Sequence, residues 1–249
     1  MSVSSTLQLN ILSSYCWIDP DSQNNAAKEQ LSSIADFGEI SLQQIPPIKR
    51  RRLNGLSKLA MHTSLGCLED SGIEPSQPLT VFGSQHGELN RTVSIVEGML
   101  KDHEVSPKDF SLSVHNATLG LYSIFSKNKQ PGTSIAAESN TFGYALVESY
   151  NLLQRFPDSK VLLTCFDMEV GQPFAELQRK GYPGYSLSLL LANESEHKNK
   201  LAFNFEFTER QRTPELPLAL EFFKFWHSDS SKQTLCSLNT DWNFSKNVL

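Results

Sequence analysis

The sequence has few of the features that mark a metal site, a disulfide-stabilised fold or a membrane protein. Its four cysteines, Cys16, Cys67, Cys165 and Cys236, are scattered through 249 residues, with no CxxC pair and no histidines at metal-ligand spacing. This distribution predicts reduced thiols in the cytoplasm, without a disulfide framework or a zinc site. No apolar run approaches the ~18 residues that a membrane-spanning helix needs. Residues 1–10 also lack the basic segment and apolar stretch of a secretory signal.

The chain has no excess of positive charge. Twenty-two Lys and Arg residues against 27 Asp and Glu residues give a net charge of −5. A mildly acidic chain is a poor candidate for binding duplex nucleic acid, whose phosphates need a basic surface. The common motifs of nucleotide binding, zinc proteolysis and α/β-hydrolase catalysis are also absent, which lowers the expectation of those three chemistries.

The sequence does contain an alternation of strand and helix patterns. Apolar and β-branched runs predict strands at residues 7–18, 79–84, 133–137, 160–167 and 185–192. Periodic apolar residues predict helices at residues 56–68, 88–100 and 141–156. This order favours an α/β fold, a layered mixed sheet with helices on both faces. Residues 195–249, with strand patterns around a helix at 216–226, are interpreted as a C-terminal α/β extension of the same body, so that residues 1–249 form one domain.

One helical region shows both a clear start and a break. Ser106 is a good N-cap residue, and it is followed by Pro107 and by Asp109 in the first turn. The helical pattern then continues toward residue 127, and we expect a break near His115 and Asn116.

The most informative segment is the junction between the strand at residues 133–137 and the helix that begins at Thr141. The first N–H groups of a helix are unpaired and carry partial positive charge, which favours a thiolate or a developing anion. An enzyme of this layout would place its nucleophile at this junction.

The residues around this junction resemble a known family. The segments in question are, in order, RRRLNGLSKLAMHTSLGCLED, VFGSQHGELNRTVSIVEGML, VSPKDFSLSVHNATLGLYSI and SIAAESNTFGYALVES. Together they resemble the N-terminal half of a β-ketoacyl synthase over about residues 45–193. More narrowly, they resemble the short chain-length-factor-like proteins of bacterial pathways that make aryl polyenes and related polyunsaturated acyl products. The resemblance implies a truncated thiolase-like fold.

The chain departs from the family pattern where a ketosynthase has its catalytic cysteine. A complete ketosynthase has a cysteine nucleophile in its first half and two histidines, or His and Asn, in its second. Aligning the last segment with the family pattern A-C-x-x-G-x-x-A-x-x-E/A places Ser139 at the cysteine position, with Ala145 and Glu148 as anchors. A slip of one residue places Glu138 there instead. A serine hydroxyl is a far weaker nucleophile than a thiolate. Since the sequence ends at Leu249, no second half with partner histidines is expected.

The resemblance therefore implies a non-catalytic role. A chain-length factor pairs with a catalytic β-ketoacyl synthase, helps to shape the tunnel for the growing acyl chain, and works with an acyl carrier protein and without a cofactor. In thiolase-like dimers the strand that leads to the nucleophile, here residues 133–137, pairs across the dimer axis. Two alternatives stay open: a weak acyltransferase or malonyl decarboxylase that uses Ser139, with His115 as base, and a homodimeric scaffold protein.

Five further residues are candidates for the subunit interface or the acyl tunnel, and each has a structural alternative. These residues are His115, Asn116, Asn140, Phe142 and Tyr144. The histidine and its neighbouring asparagine could simply stabilise a helix break. Asn140, with Ser139, could cap the following helix, and the two aromatic residues could belong to the core.

A basic run is the candidate contact for the carrier protein. Lys49, Arg50, Arg51 and Arg52 directly precede a predicted helix and could bind an acidic acyl carrier protein or its phosphopantetheine arm. The alternative is an ordinary solvated face.

Overall fold

A computed structural model describes residues 6–22, 24–102, 105–178, 181–193, 199–212 and 214–247. Seven strands occur in it: β1 (Leu7–Ile18), β2 (Leu79–Gly83), β3 (Gly132–Ile135), β4 (Lys160–Asp167), β5 (Tyr185–Ala192), β6 (Lys200–Arg212) and β7 (Lys232–Lys246). The helices are α1 (Asn25–Leu31), α2 (Pro47–Arg50), α3 (Gly55–Ser71), α4 (Leu89–Asp102), α5 (Pro107–Ser111), α6 (Ala117–Ser126), α7 (Thr141–Arg155) and α8 (Leu218–Trp226).

The strands form one mixed sheet in the order β3-β2-β4-β5-β1-β6-β7. β2 is parallel to both β3 and β4, and the remaining neighbours are antiparallel. The chain travels from β2 to β3 through α4, α5 and α6, and from β3 to β4 through α7, as helical crossovers between parallel strands require. Consequently, β3 lies at one edge of the sheet, and the turn after it faces the ends of β2 and β4.

Helices cover both faces of the sheet, as predicted. Along β4, Val161, Leu163 and Cys165 belong to the cluster that includes α7 and α8, whereas Leu162 and Phe166 belong to the cluster that includes α3 and α6. Both sets of side chains are buried. A strand covered on both faces reads as a continuous apolar run, which explains why residues 160–167 are apolar almost without interruption.

Buried hydroxyl groups join α3 to the sheet. The hydroxyl of Thr63 lies 2.6 Å from that of Ser186, and the hydroxyl of Ser64 lies 2.8 Å from that of Thr164. Ser188 bonds to both threonines at 2.9 Å. These small side chains allow the helix to pack closely on the strands, and each buried hydroxyl finds a partner, as buried polar groups require.

Most predicted elements agree with the structure, and the polar segment before α2 is the main exception. The helical region after Ser106 breaks as predicted, because α5 ends at Ser111 and α6 begins at Ala117. The sequence did not predict α1, which buries only Ala27 and Leu31 and therefore has too short an apolar pattern to recognise. In the C-terminal region, the sequence pattern predicts strands only at residues 201–207 and 234–242, which are shorter than β6 and β7.

We infer that the C-terminal region belongs to the same body as the rest of the chain. β6 pairs with β1, with Leu201 opposite Leu9, and so extends the sheet. The Phe222 ring of α8 lies 4.9 Å from the Phe142 ring of α7 and 5.0 Å from the Phe244 ring of β7. One core therefore spans α7, α8 and β7.

Truncation of Phe222 should destabilise the whole chain in a single step. Because this side chain is fully buried, we expect Phe222→Ala to lower the free energy of unfolding by ~3–5 kcal/mol, measured by urea denaturation. The control is Phe207→Ala, whose side chain is 72% exposed and should change the stability little. Two separate unfolding transitions in Phe222→Ala would show that the extension folds as an independent unit.

Candidate functional site

The turn between β3 and α7 is tightly closed by hydrogen bonds. The Thr141 hydroxyl donates to the carbonyl oxygen of Glu138 at 2.6 Å and accepts the N–H of Ala137 at 2.9 Å. Glu138 has a φ of 50°, in the left-handed region that non-glycine residues seldom occupy. Ser139 follows, and Asn140 is the N-cap residue of α7, although its side chain makes no capping bond. The local geometry thus places residues 138–140 at the end of the sheet.

Strand β7 covers this turn. The Trp242 indole N–H donates to the side-chain oxygen of Asn140 at 2.9 Å, and this bond is buried. The Ser237 hydroxyl donates to that of Ser139 at 2.9 Å. A Cβ atom on Gly143 would lie 2.2 Å from the Trp242 ring, so only glycine allows the indole to approach this closely. The side chains of Ser139 and Asn140 are therefore engaged in contacts within the chain.

A cavity of about 400 Å³ remains beside Ser139. It is lined by Gln85, His86, Glu138, Ser139, Leu177, Tyr182, Arg212 and Leu238. The lining residues include a carboxylate, that of Glu138, and a guanidinium, that of Arg212. No cysteine is part of this lining.

None of the four cysteines lies in surroundings that favour a reactive thiolate. Cys16, Cys67 and Cys165 are buried, and burial raises the pKa of each thiol. Cys236 is half-buried in β7, and burial raises its pKa as well. A reactive cysteine needs a lowered pKa, because the thiolate is the nucleophile. Burial therefore disfavours the thiolate form of each of these cysteines.

A buried carboxylate organises the loop after β2, and the sequence analysis missed it. Asp167 accepts the Ser84 hydroxyl at 2.7 Å and the backbone N–H groups of Gln85 and His86, both at 3.1 Å. Burial raises the pKa of Asp167, while these three donors act in the opposite direction. The available signal was a lone acidic residue at the end of an apolar strand. This carboxylate fixes one wall of the cavity beside Ser139.

Ser139 and His115 do not form a nucleophile–base pair in the structure. The Nε2 atom of His115 lies 2.8 Å from the carbonyl oxygen of Ser84. Because a carbonyl oxygen only accepts, this Nε2 carries the proton. The Ser139 hydroxyl is bound by Ser237, so both proposed partners are engaged elsewhere.

The remaining candidate residues differ in how accessible they are. Phe142 is buried in the core, and Tyr144 is half-buried, with its ring 5.5 Å from the Trp242 ring. Asn140 is buried as well. Asn116 is exposed and His115 is half-buried, between α5 and α6. Among these five candidates, His115, Asn116 and Tyr144 therefore keep part of the side chain exposed.

The basic run forms α2 and the turn after it. Arg51 and Arg52 are exposed, and Lys49 and Arg50 are half-buried. None of the four pairs with an acidic side chain of the described residues. Arg50 and Arg51, together with Lys58 of α3, line an open cavity of about 480 Å³. The structure therefore gathers these cations on one surface.

The described residues lack two kinds of feature. No helix in that part of the chain is long and apolar enough to cross a membrane. Within the same residues, no three His, Cys, Asp or Glu side chains are grouped so that they could hold a metal ion.

We predict that the contact between Gly143 and Trp242 reverses the usual effect of a glycine-to-alanine change. In the wild-type background Gly143→Ala should lower the free energy of unfolding by ~1–3 kcal/mol, because the new methyl group collides with the indole. In a Trp242→Ala background it should raise stability by up to ~1 kcal/mol, the ordinary gain in helix propensity. Urea denaturation of the four proteins measures both effects.

The control is Gly120→Ala in α6, where a Cβ atom would meet nothing within 4 Å. This change should be stabilising in both backgrounds. Equal effects of Gly143→Ala in the two backgrounds would contradict the proposed close contact.

Comparison with known proteins identifies the family. The sequence model of the β-ketoacyl synthase N-terminal domain matches residues 17–245, whereas no curated protein sequence matches this chain. Among solved structures, the chain is similar to one in the complex of the ketosynthase ApeO with its chain length factor ApeC from Xenorhabdus doucetiae. The identity is 24% and the TM-score 0.77, over 96% of this chain and 99% of that one.

Two further solved structures share the fold. A chain of the ishigamide ketosynthase/chain length factor is 15% identical, with a TM-score of 0.61 over 82% of this chain and 68% of that one. A chain of AntDE:AntF, a type II polyketide acyl carrier protein in complex with its ketosynthase, is 11% identical, with a TM-score of 0.57 over 82% and 70%. These likenesses show the thiolase-like ketosynthase fold, and with the sequence match they establish that the chain belongs to the β-ketoacyl synthase N-terminal domain family.

Proposed function

We propose that this chain is a non-catalytic, chain-length-factor-like subunit that pairs with a catalytic β-ketoacyl synthase in bacterial aryl polyene or fatty-acyl biosynthesis. The observation that carries the proposal is the covered turn at residues 138–140. It has no thiol, and Ser237 and Trp242 of β7 donate hydrogen bonds to the side chains of Ser139 and Asn140. Condensation needs a thiolate to hold the acyl chain, so the reaction would take place on the partner, in the cytoplasm and without a cofactor.

The structural likeness to a ketosynthase–chain length factor complex supports a paired subunit. The alignment covers 96% of this chain and 99% of the matched chain, so the two chains are of nearly equal length. A chain of this size and fold therefore occurs in a complex of a ketosynthase with its chain length factor.

The free edge of β3 supports a heterodimer interface. The N–H groups of Thr80 in β2 and of Ser84, directly after it, donate to the carbonyl oxygens of Pro131 and Ile135. In a parallel ladder alternate residues face alternate sides, so Ser134 directs its own N–H and C=O away from β2. An unpaired strand edge tends to pair with another chain, and a ketosynthase partner would supply that strand.

Exposed apolar side chains lie on the helices that join β2 to β3. Five of them are at least 49% exposed: Val96, Met99 and Leu100 of α4, Phe110 of α5 and Ile124 of α6. Large exposed apolar groups often mark protein–protein contacts. Since α6 packs against β3, a partner that covers the β3 edge lies close to this helical region.

In the proposed complex, the segment between α5 and α6 is the candidate wall of the acyl tunnel. His115 and Asn116 lie there, beside the exposed apolar side chains. Asn140 and Phe142 contact residues of their own chain instead. Asn140 accepts the indole N–H of Trp242, and the ring of Phe142 packs on that of Phe222. The subunit would limit the length of the acyl chain sterically, through the size of the tunnel, without forming a covalent bond to the acyl chain.

Co-expression with a full-length ketosynthase from the same gene neighbourhood tests the proposal. The two chains should co-elute in size-exclusion chromatography, and only the complex should extend acyl chains on a carrier protein. Ser139→Ala in the complex should leave the rate unchanged, whereas the acyltransferase alternative requires its loss. A chain that elutes alone as a homodimer and never binds the ketosynthase would favour the scaffold alternative.

Ser134→Pro is predicted to weaken the complex at least tenfold. Proline removes an outward-facing N–H and leaves the bonds to β2 in place. Ser134→Ala is the matched control, because it changes the side chain and keeps the N–H. Isothermal titration with the ketosynthase measures both affinities, and an equal loss in the two variants would argue against strand pairing at this edge.

We also propose that the basic surface around α2 contacts the acyl carrier protein. Carrier proteins are acidic, and the four cations of residues 49–52 have no acidic partner among the described residues. Lys58 of α3 extends this surface. Electrostatic contacts of this kind act mainly on the association rate and weaken as salt is added.

Charge reversal on this surface should slow acyl transfer from the carrier protein. We expect Arg50→Glu with Arg51→Glu to lower kcat/KM for the carrier protein about tenfold at low salt, with a smaller effect at 0.5 M NaCl. The control, Arg155→Glu, lies at the far end of α7 and should have little effect. A loss that is independent of salt would indicate a structural fault in place of a docking surface.

A further inference from the structure

The strap, which we define as residues 36–46, lies directly before α2 and is attached to both β1 and α3. The Asp36 N–H donates to the carbonyl oxygen of Cys16 in β1 at 2.8 Å. Further along, the side chains of Leu42 and Ile45 are buried in the cluster that includes α3. Because α2 begins at the next residue, the strap positions the basic run that α2 and the turn after it carry.

His62 of α3 is buried, and both nitrogens of its ring face the strap. Its Nδ1 lies 3.0 Å from the carbonyl oxygen of Ser41, and its Nε2 lies 3.3 Å from Oδ2 of Asp36. Carbonyl and carboxylate oxygens only accept hydrogen bonds, whereas a neutral imidazole has one N–H donor and one acceptor nitrogen. Both contacts are therefore hydrogen bonds only when His62 carries a proton on each nitrogen, as the imidazolium cation.

Asp36 is held in the ionised state that this arrangement requires. Its Oδ1 accepts the Gly38 N–H at 2.7 Å, and its Oδ2 accepts the Tyr15 hydroxyl at 2.8 Å. Burial by itself would raise the pKa of Asp36, but the bonds from Gly38, Tyr15 and His62 outweigh that effect, and the pKa is lowered. The carboxylate therefore keeps its charge where an ordinary aspartate begins to take up a proton, so the second proton of the contact belongs to His62.

The other acidic groups around this contact do not change charge near neutral pH. Tyr15 of β1 packs its ring against that of His62, with the centroids 5.5 Å apart. Burial, then the bond to Asp36 and the charge of Asp70, raises the pKa of Tyr15 to about 12. Burial also raises the pKa of the Cys16 thiol. Both groups stay protonated where a histidine titrates, between about pH 5 and pH 8.

No other basic group of the described residues takes the place of His62. Among them, it is the only basic side chain within ion-pair distance of Asp36. Lys58, one turn earlier in α3, lines the open cavity beside the strap. Glu39 of the strap is exposed. The charge at this contact near neutral pH therefore depends on the proton of one histidine.

We propose that His62 is a pH-dependent switch, whose imidazolium form fastens the strap to α3 and whose neutral form releases part of it. Loss of the proton removes one of the two bonds, because a neutral ring donates either to Ser41 or to Asp36 and not to both. The strap is held most firmly below the titration range of histidine, and it loosens as the pH rises through that range. Since α2 follows the strap directly, the basic surface loosens over the same range.

The charge of His62 can be read in the full chain by NMR. The ¹⁵N chemical shifts of the ring distinguish the imidazolium from the two neutral tautomers, and comparison with His62→Gln assigns the signals. At pH 5.5 we expect protons on both ring nitrogens. A neutral ring at this pH would overturn the proposal, because one of the two contacts would then lack its proton.

Hydrogen exchange measures the release of the strap. Mass spectrometry gives the protection factor of the peptide that covers it, where the Ile45 N–H bonds to the carbonyl oxygen of Leu42 at 3.0 Å. The protection factor removes the direct effect of pH on the exchange chemistry. Between pH 6 and pH 8.5 we expect it to fall at least fivefold, as the loss of one hydrogen bond predicts, while peptides of α7 keep theirs. Constant protection of the strap would overturn the proposal.

Two variants assign the effect to this contact. The fall in protection should disappear in His62→Gln, which cannot titrate, and in Asp36→Asn, whose amide group can donate to a neutral Nε2. His227→Gln, the matched change after α8, should keep the fall. A fall that survives in His62→Gln or in Asp36→Asn, or that is lost in His227→Gln, would contradict the proposal. These measurements use the chain alone, so their outcome is independent of whether it binds a ketosynthase.

Discussion

The packing of Trp242 on the first turn of α7 is the contact on which both the site and the C-terminal region depend. The indole can approach because Gly143 has no side chain, and its N–H bonds to Asn140. Its ring also packs on Phe205 of β6, with the centroids 4.9 Å apart. Once the indole is in place, β7 runs across the turn after β3 and sets Ser237 against Ser139. One aromatic residue thus joins the outer strands to the turn between β3 and α7.

The two edges of the sheet consequently have different roles. On one side β6 and β7 extend the sheet, and the side chains of β7 cover the turn at residues 138–140. On the other side β3 is left with an unpaired edge beside helices that expose apolar side chains. In the proposed role, the chain keeps the frame of a ketosynthase half and uses it to bind a partner, because the turn that would serve catalysis is bonded to β7 and the strand edge that would serve association is open.

Local patterns predicted the strands and helices of the α/β body well, because burial on both faces of a strand leaves a continuous apolar run and burial on one face of a helix leaves a periodic one. The polar segment before α2 has no such trace, and yet the structure holds it in place through side chains of β1 and α3. The Tyr15 hydroxyl donates to Asp36 at 2.8 Å, the Trp17 indole N–H donates to the carbonyl oxygen of Gly38 at 2.8 Å, and His62 Nε2 lies 3.3 Å from Asp36. Single polar contacts of this kind have no period and escape pattern analysis.

The amino-acid sequence by itself determined the order of strands and helices, the absence of a thiol at the junction before α7 and the basic run of residues 49–52. Only the tertiary structure decided that Ser139 is covered, that Asp167 is buried, and that β3 has a free edge. The physical reason is the separation along the sequence over which each kind of interaction acts. Helix and strand periodicity act over a few residues, whereas the bonds that close the junction join residues 98 and 102 positions apart, and a burial or an edge exists only after distant segments have packed.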